Sequence, residues 1–335
     1  MEQPITWVGI DDDKMNLTVA VATGSEAPQV RRIPNEDGVL RRWVRRLVRT
    51  AHQGEIRMCY EAGPNGFALK RRLEAMGPVA VEVMAPTLTP RRSGRKVKTD
   101  PLDARQLLSL YRSGELVPVA IPEATSESAR DLVRTYHRVS EELLRKRNHV
   151  LKFLVRRGRI YRTGVHWTGL HRRWLRSQTF EAWTDTTSFE ELVTGLRELE
   201  DRRLRLRQAL KRLAQEEAYA LGVATLRCFH GIDTEMALTL VTEIFDIRRF
   251  RHPRDLMSYF GQTPSVHQSG TKDVRGPITK PATAMPAGPW DRSPTSSDTV
   301  RMWERSSGND ERANRPGPSR SPIEPINGFI DAIGP

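Results

Sequence analysis

The sequence has 335 residues, of which 38% are hydrophobic, and a formal net charge of +13. This length allows two or three globular domains, and two cysteines exclude a disulfide framework or a cysteine-rich zinc site. No apolar run is long enough to cross a bilayer and no signal peptide precedes the first strand, so we expect a cytoplasmic protein. The positive charge indicates a polyanionic partner.

The first 120 residues alternate predicted strands and helices. "TWVGIDDD" and "NLTVAVAT" predict two adjacent strands, and "EIRMCYEA" and "VAVEVMA" predict two more. Helices are predicted at the basic amphipathic segment around Trp43, at "NGFALKRRLEAMG", and from Asp100 onward. This order predicts an α/β domain.

The following 160 residues predict mainly helices. Residues 126–157 form a long basic helical pattern, and residues 188–218 carry leucines spaced alternately by four and three positions. This heptad-like series, interrupted at Arg203, predicts a coiled coil or a helical hairpin. In residues 223–260 two apolar helices flank "HGID", which is typical of a helix-hairpin-helix that offers backbone amides to a phosphate.

Several arginine clusters contain aromatic residues, a combination that favours nucleic acid as the partner. A solvated helix face is the plain alternative for any single cluster. The clusters occupy residues 41–49, 91–98, 144–162 and 171–176.

Two aspartates in "KTDPLDARQL" admit two interpretations. Proline disfavours helical geometry in the residue before it, so Asp100 is a natural N-cap and Asp103 falls in the first helical turn. Two carboxylates one turn apart also suit a metal ion. Asp11 and Glu61 end predicted core strands, where acids point into the ligand-binding crevice of α/β folds. Four converging carboxylates would repel one another, and a divalent cation removes that cost.

Three segments carry a family resemblance: "VGIDDDKMNLTVAV", "YEAGPNGFALKRRLEAMG" and "VKTDPLDARQLLSLYRSGEL". They resemble the N-terminal domain of the insertion-sequence transposases that are guided by a bridge RNA, the IS-one-ten family. The resemblance implies an α/β RNase-H-like (RuvC-like) domain with a DEDD site for Mg²⁺ or Mn²⁺. By position, the acids of this site are Asp11, Glu61, Asp100 and Asp103. Lys98 and Thr99 match the first two residues of the family's "KTD".

The same family has a second catalytic domain with a nucleophilic serine, and "LMSYFGQTPSVHQSGTKDVRGPITK" resembles it. The resemblance assigns the nucleophile to Ser269, in a segment interpreted as a polar loop; Ser265 is the alternative but lacks a following glycine. A serine that attacks phosphorus forms a phosphoserine ester, which conserves the bond energy for rejoining. Lys272, Arg275 and Lys280 are candidates to offset the charge of the phosphate.

The chain departs from the family pattern after Lys280. The family continues "TGN-x-x-x-RR", whereas this chain reads "PATAMPAGPWDRSPTSSD", a Pro- and Ser-rich composition that predicts disorder. Back-translation read one nucleotide earlier restores Thr-Gly-Asn and Arg-Arg. We therefore interpret residues 281–335 as an out-of-frame tail, which deprives the serine domain of its closing helices and makes the chain a candidate for an inactive transposase.

The predicted organisation has five parts. They are a RuvC-like DEDD domain (1–120), a basic helical linker (121–187), a coiled coil (188–220), a mainly α partial serine transposase domain with the helix-hairpin-helix (221–280), and a disordered tail (281–335). The resemblance implies a bacterial DNA recombinase that binds element and target DNA and a structured guide RNA. It also implies a homo-oligomer, from dimer to tetramer, that works at the nucleoid and on no membrane. A stand-alone RuvC-like metal-dependent nuclease and a non-catalytic nucleic-acid-binding protein are the alternatives.

Overall fold

The structure is a computed structural model that describes residues 4–51, 54–86 and 100–261, together with the backbone of residues 264–269 and 272–278. Five predicted features lie outside the described residues: the arginine cluster at 91–98, Lys98, Thr99, Lys280 and the tail at 281–335. The chain divides into two compact units between Ile121 and Pro122, and each unit is described by itself. Within the ranges given above, no helix is both long and apolar enough to cross a membrane.

The first unit is built on a five-stranded mixed sheet. Its strands are β1 (Thr6–Asp12), β2 (Asn16–Thr23), β3 (Gln29–Pro34), β4 (Ile56–Glu61) and β5 (Ala80–Met84). Their order across the sheet is β3-β2-β1-β4-β5. β1, β2 and β3 form an antiparallel meander, whereas β4 and β5 run parallel to β1. This order fits the RNase-H-like fold that the sequence resemblance implies.

Helices cover both faces of this sheet. They are α1 (Asp37–Thr50), α2 (Ala68–Glu74) and α3 (Asp100–Arg112). α1 and α2 pack on the face that carries Val8 and Ile10, which are fully buried. α3 packs on the opposite face, where Cys59 and Leu108 are buried. Because side chains alternate along a strand, consecutive residues of β1 contribute to different faces.

The sequence pattern does not predict the edge strand β3. Its residues, QVRRIP, include two adjacent arginines, and its side chains are exposed or half-buried. No run of buried residues therefore marks it as a strand. It is a strand because it pairs with β2 along its whole length, a tertiary contact that overrides its weak local pattern.

The second unit consists mainly of helices. They are α4 (Ala124–Val155), α5 (Gly169–Arg176), α6 (Trp183–Leu213), α7 (Glu217–Arg227), α8 (Thr234–Ile244) and α9 (Pro253–Tyr259). One hydrophobic core joins α4, α6, α7 and α8, and another joins α4, α5 and α6. The stretches predicted as linker, coiled coil and serine domain therefore share cores, and their division into separate domains stays a prediction.

The leucine series of α6 packs inside the chain. Leu196 lies in the core shared with α5, and Leu210 lies in the core shared with α8. Arg203, which interrupts the series, donates hydrogen bonds from Nε to Ser140 Oγ at 3.1 Å and from Nη2 to Tyr136 Oη at 2.9 Å, both on α4. α4 and α6 thus pair within one chain as a helical hairpin. A coiled coil between chains stays a prediction.

Two short strands follow α9. β6 (Pro264–Ser269) and β7 (Lys272–Ile278) pair in antiparallel fashion. The sequence pattern predicts a polar loop in a mainly α domain here, and the structure has a β-hairpin instead. The polar residues of "PSVHQSGTKDVRGPI" hide the strand signal, because only scattered valines and an isoleucine alternate with them.

Candidate active site at the carboxyl edge of the sheet

Asp11 and Glu61 lie at the same height near the carboxyl ends of two adjacent parallel strands, Asp11 one residue before the end of β1 and Glu61 at the end of β4. In the ladder between β1 and β4, Ile10 is the register partner of Tyr60, and Asp11 and Glu61 are the next residues on each strand. Asp11 is half-buried and Glu61 is exposed. The sequence prediction that both acids reach the carboxyl edge of the sheet agrees with this register; their catalytic role stays a prediction.

Both acids face the side of the sheet that α3 covers. Ile10 and Tyr60 are fully buried in the core beneath α1 and α2. Since neighbouring residues of a strand point to opposite faces, Asp11 and Glu61 project toward the α3 side. Cys59, two residues before Glu61, is buried on that side together with Leu107 of α3.

Gly9 determines how closely α3 approaches this face. A Cβ at Gly9 would stand 2.6 Å from the carbonyl oxygen of Ala104 and 2.7 Å from the amide nitrogen of Leu108. These distances are shorter than any tolerable contact, so only glycine admits the backbone of α3 at this height. Gly9 lies two residues before Asp11 on the same face, so the close approach of α3 to β1 is two residues from that carboxylate.

The direction of α3 brings its first turn to the carboxyl edge. Ala104 lies over Gly9, whereas Tyr111, two turns later, packs against Trp7 with ring centroids 5.2 Å apart. α3 therefore runs antiparallel to β1, and its first turn, which contains Asp100 and Asp103, lies toward the edge where β1 ends. Asp100 is thus the first residue of the helix rather than the N-cap that precedes it, one position from the capping role that the sequence predicts.

The far end of α3 is held by a separate set of contacts. Arg112 donates hydrogen bonds to the carbonyl oxygens of Gly24, at 2.5 Å, and Glu26, at 3.4 Å. These carbonyls lie in the connection between β2 and β3. α3 is thus fixed at its last turn by Arg112 and near its first turn by Gly9.

The four acids have the donor chemistry that a hard divalent cation prefers. Carboxylate oxygens bind Mg²⁺ and Mn²⁺, and all four predicted acids belong to elements that meet at one edge of the sheet. In the described part of the chain, no three His, Cys, Asp or Glu side chains stand close enough to hold an ion. The donor set therefore fits a divalent cation, while its closure around one stays a prediction.

Asp12 is a half-buried acid that the sequence pattern does not distinguish from its neighbours. Its Oδ1 is buried and has no hydrogen-bond partner among the described residues. Burial raises the pKa of Asp12 above its ordinary value, while Asn65 and Arg72 act in the opposite direction. By strand alternation Asp12 points away from α3, unlike Asp11. Three consecutive aspartates look alike in a sequence, and only the strand register separates them.

Ser269 is the last residue of β6 and the register partner of Lys272, the first residue of β7. The predicted nucleophile thus stands at the tip of the hairpin, whereas Ser265 is the second residue of β6. Arg275 is paired with Val266 in the middle of the ladder. These are backbone positions, and the role of Ser269 stays a prediction.

The "HGID" segment joins two helices that contact each other, α7 and α8. Gly231 has a φ of +85°, a conformation that favours glycine, and Asp233 accepts a hydrogen bond from the amide of Met236 at 2.8 Å as the N-cap of α8. Burial raises the pKa of Asp233. Two helices joined by a glycine turn are present, while the helix-hairpin-helix assignment and contact of this turn with DNA stay predictions.

Comparison with known proteins identifies the class of protein. Residues 8–157 match a DEDD transposase family of the IS110 type, and residues 223–285 match the transposase IS116/IS110/IS902 family. These matches define a transposase, an enzyme that cuts and rejoins DNA. The chain belongs to the IS110 family of insertion-sequence transposases.

Two curated relatives are transposases by name. The chain is 34% identical over 277 residues to the putative transposase y4qE of Sinorhizobium fredii (strain NBRC 101917 / NGR234), which covers 82% of this chain and 67% of that protein. It is 29% identical over 252 residues to the transposase for insertion sequence element IS1533 of Leptospira borgpetersenii, which covers 74% of this chain and 72% of that protein.

A solved structure, T. thermophilus RuvC in complex with a Holliday junction substrate, also matches this chain. The match has 13% identity and a TM-score of 0.24, and it covers 34% of this chain and 99% of RuvC. The RNase-H-like assignment of the first unit rests on its own strand order and directions.

Proposed function

We propose that this transposase cuts and rejoins DNA through metal-assisted chemistry at the carboxyl edge of its mixed sheet. The observation that most supports this is the register of Ile10 with Tyr60, which brings Asp11 and Glu61 to the same height at the carboxyl edge of β1 and β4. Asp100 and Asp103 complete the acidic set from the first turn of α3.

The four acids come from two strands and one helix, and together they would hold Mg²⁺ or Mn²⁺. When bound, such a cation offsets the charge of a phosphodiester and favours ionisation of the attacking oxygen. Asp11 and Glu61 provide ligands from rigid strand ends, so the spacing of the two carboxylates is set by the sheet. Asp100 and Asp103 provide ligands from a helix whose distance from the sheet is fixed at Gly9.

Ser269 is the proposed nucleophile. Its Oγ attacks the phosphorus and forms a phosphoserine ester while the bond from phosphorus to the departing sugar oxygen breaks. The proton that leaves Ser269 is delivered to that sugar oxygen, so charge and bond number are conserved. The reverse attack by a sugar hydroxyl rejoins the strand and frees the serine. Lys272 and Arg275 are placed on the partner strand, where their charge would offset that of the phosphate.

The same proposal includes a structured RNA that guides the choice of target. It also includes assembly of two to four copies in the bacterial cytoplasm, at the nucleoid. They are implied by family membership. The basic composition of the chain, with 54 Lys and Arg against 41 Asp and Glu, supports polyanionic partners.

The altered reading frame after residue 280 is also proposed. The family match ends at residue 285, five positions beyond the break that the sequence pattern indicates. We expect this chain to retain its acidic site and to be impaired in complete strand exchange. The test compares strand exchange by this chain and by a frame-restored chain, each supplied with element DNA and its RNA. Equal activity of the two chains would contradict the frame-change proposal.

The active-site proposal is tested by strand cleavage with matched variants. Asp11→Asn should abolish cleavage in Mg²⁺, whereas Asp13→Asn should leave it unchanged. Asp13 is an exposed neighbour whose Oδ1 only accepts a hydrogen bond from the amide of Lys14, at 2.7 Å. Full activity of Asp11→Asn would overturn the proposal.

A second candidate is a stand-alone metal-dependent nuclease, because all four acids lie in the first unit. The serine mechanism predicts a covalent protein–DNA adduct that is lost in Ser269→Ala and kept in Ser265→Ala. Cleavage that persists in Ser269→Ala, with no adduct in the unaltered chain, would favour the nuclease.

A further inference from the structure

The helix α1 carries five arginines without acidic partners. Arg41, Arg42, Arg45, Arg46 and Arg49 are exposed, and none forms an ion pair with a residue of the described ranges. The only acid in α1 is Asp37, which lies in its first turn and pairs with Arg72 of α2 at 2.6 Å. We name these five arginines the α1 arginine stripe.

The stripe lies on the side of α1 that faces away from the sheet. Leu40, Val44 and Leu47 recur at helical spacing and are buried in the core. An α-helix turns by about 100° per residue, so the five arginines are centred opposite these three side chains. The guanidinium groups therefore project into solvent along one continuous face.

The arginines of the stripe also repel one another. Residues three or four positions apart are neighbours on a helix, and like charges at these spacings destabilise it. Five pairs in the stripe have such spacings: 41/45, 42/46, 45/49, 42/45 and 46/49. Since the single acid of α1 is already paired with Arg72, an external polyanion is what would remove this repulsion.

One end of the stripe lies next to the candidate active site. Asn35, just before α1, accepts a hydrogen bond from Arg72 at 2.9 Å and donates one to the carbonyl oxygen of Asp13 at 3.2 Å. Asp13 follows the end of β1, so α1 begins at the carboxyl edge where Asp11 lies. The chain leaves α1 toward Glu55, whose carbonyl accepts a hydrogen bond from Thr6 at the start of β1.

The stripe therefore starts at the carboxylate edge and runs along the strands, on the face opposite α3. From Arg41 to Arg49 it spans about 12 Å at 1.5 Å per residue. Arg31, on the edge strand β3, adds a further exposed arginine on the same face, because it pairs with Val19 of the core beneath α1.

We propose that the α1 arginine stripe binds the phosphate backbone of duplex DNA that flanks the cleavage point. The choice of DNA follows from the class of enzyme, which cuts and rejoins DNA and must hold the duplex outside the reacting bond. The position of the bound DNA relative to the cut rests on the active site proposed above. The binding is independent of sequence, because guanidinium groups on phosphates carry no information about bases.

The test measures affinity for a DNA duplex at several salt concentrations, with the full chain and with a chelator present so that no divalent cation contributes. The triple variant Arg41→Gln/Arg45→Gln/Arg49→Gln should bind at least about tenfold more weakly. The slope of log K against log[salt] should fall by roughly 0.9 for each lost phosphate contact. The triple lysine variant, which keeps the charge, should retain the slope.

A matched control removes three equally exposed arginines from α6, in the variant Arg202→Gln/Arg205→Gln/Arg212→Gln. This control has the same net charge as the stripe variant. Equal loss of affinity in both would show a general effect of charge and would overturn the proposal, as would an unchanged salt slope in the stripe variant. A larger loss for an RNA duplex than for DNA would overturn the choice of DNA.

Failure of this inference is distinguishable from failure of the proposed active site. If the stripe variant keeps its affinity while Asp11→Asn abolishes cleavage, the stripe proposal is wrong and the active site stands. If Asp11→Asn cleaves normally while the stripe variant loses affinity, DNA binding by α1 stands and the acidic site is wrong.

Discussion

Asp11 and Glu61 lie at the same height on neighbouring parallel strands, because the residues before them, Ile10 and Tyr60, are register partners. This relationship is the firmest element of the candidate site. Two carboxylates on adjacent strand ends repel each other unless a cation or a proton intervenes, which makes metal binding measurable in the absence of DNA.

We expect Glu61→Gln to weaken Mn²⁺ binding by about tenfold or more, because a charged ligand is removed while its shape is kept. Isothermal titration of the purified chain provides the measurement. Glu82→Gln is the matched control. Glu82 is an exposed acid on the same face of the sheet, and its register partner on β4 is Cys59, two residues before Glu61. Equal weakening in both variants would argue against a site at the edge.

Gly9→Ala should destabilise the first unit by about 1–3 kcal/mol, because its Cβ would overlap the backbone of α3. Gly38→Ala is the matched control. Gly38 lies in the first turn of α1, where a Cβ would have its nearest neighbour at 3.6 Å, so alanine should leave stability unchanged or slightly raised. Urea unfolding compares the two variants. Equal stability of Gly9→Ala and the unaltered chain would show that α3 is free to shift.

Arg134→Ala should cost about 3–5 kcal/mol, because it leaves a buried carboxylate without its partner. Arg134 of α4 donates two hydrogen bonds to Glu243 of α8, at 2.7 and 2.9 Å, and the Glu243 side chain is only 1% exposed. The exposed neighbour Arg138 provides the control, for which alanine should change stability by less than about 0.5 kcal/mol. Thermal unfolding that ranks the two variants equally would contradict this assignment.

The stability of the second unit should fall as the pH drops below about 6.5, in part through His137. Burial lowers the pKa of His137 below its ordinary value, against a weaker opposing influence of Glu141. The unfolded chain therefore binds a proton at a higher pH than the folded protein does. The free energy of unfolding then decreases on acidification by at most about 1.4 kcal/mol per pH unit for this group.

Urea unfolding at pH 7 and at pH 5.5 measures this dependence. The hydroxyl of Thr239 donates to the carbonyl of Glu235 at 2.7 Å, so its oxygen accepts from Nε2 of His137 at 2.8 Å. His137→Gln keeps a donor for Thr239 and removes the titrating group, and should flatten the dependence. The exposed His149→Gln should leave it in place. A dependence identical in both variants would exclude His137 as its source.

Strong local patterns made part of the fold predictable. β2 coincides with the predicted "NLTVAVAT", and α4 lies within two residues of the predicted helix at 126–157. These segments have a continuous period of buried residues. β3 and the β6–β7 hairpin lack one, and pairing alone gives them their form.

The candidate site was predictable in its residue types and not in its geometry. The sequence places acids at strand ends, but the choice of Asp11 over Asp12 as the one facing α3 depends on which face Ile10 occupies. The approach of α3 depends on a missing Cβ at Gly9, which a sequence presents as an ordinary strand glycine. Both features depend on tertiary packing, which a sequence pattern does not specify.

Arg203 specifies how α6 aligns with α4. A leucine at position 203 would have given α6 an uninterrupted row of leucines. Such a row would allow α6 to shift by one heptad along α4, or to pair with a second chain. The guanidinium, bonded to Tyr136 and Ser140, permits only the one alignment of α6 on α4 in which both acceptors are reached. The α4–α6 pairing is thereby specified within one chain, and association of copies through the remaining faces of α6 stays a prediction.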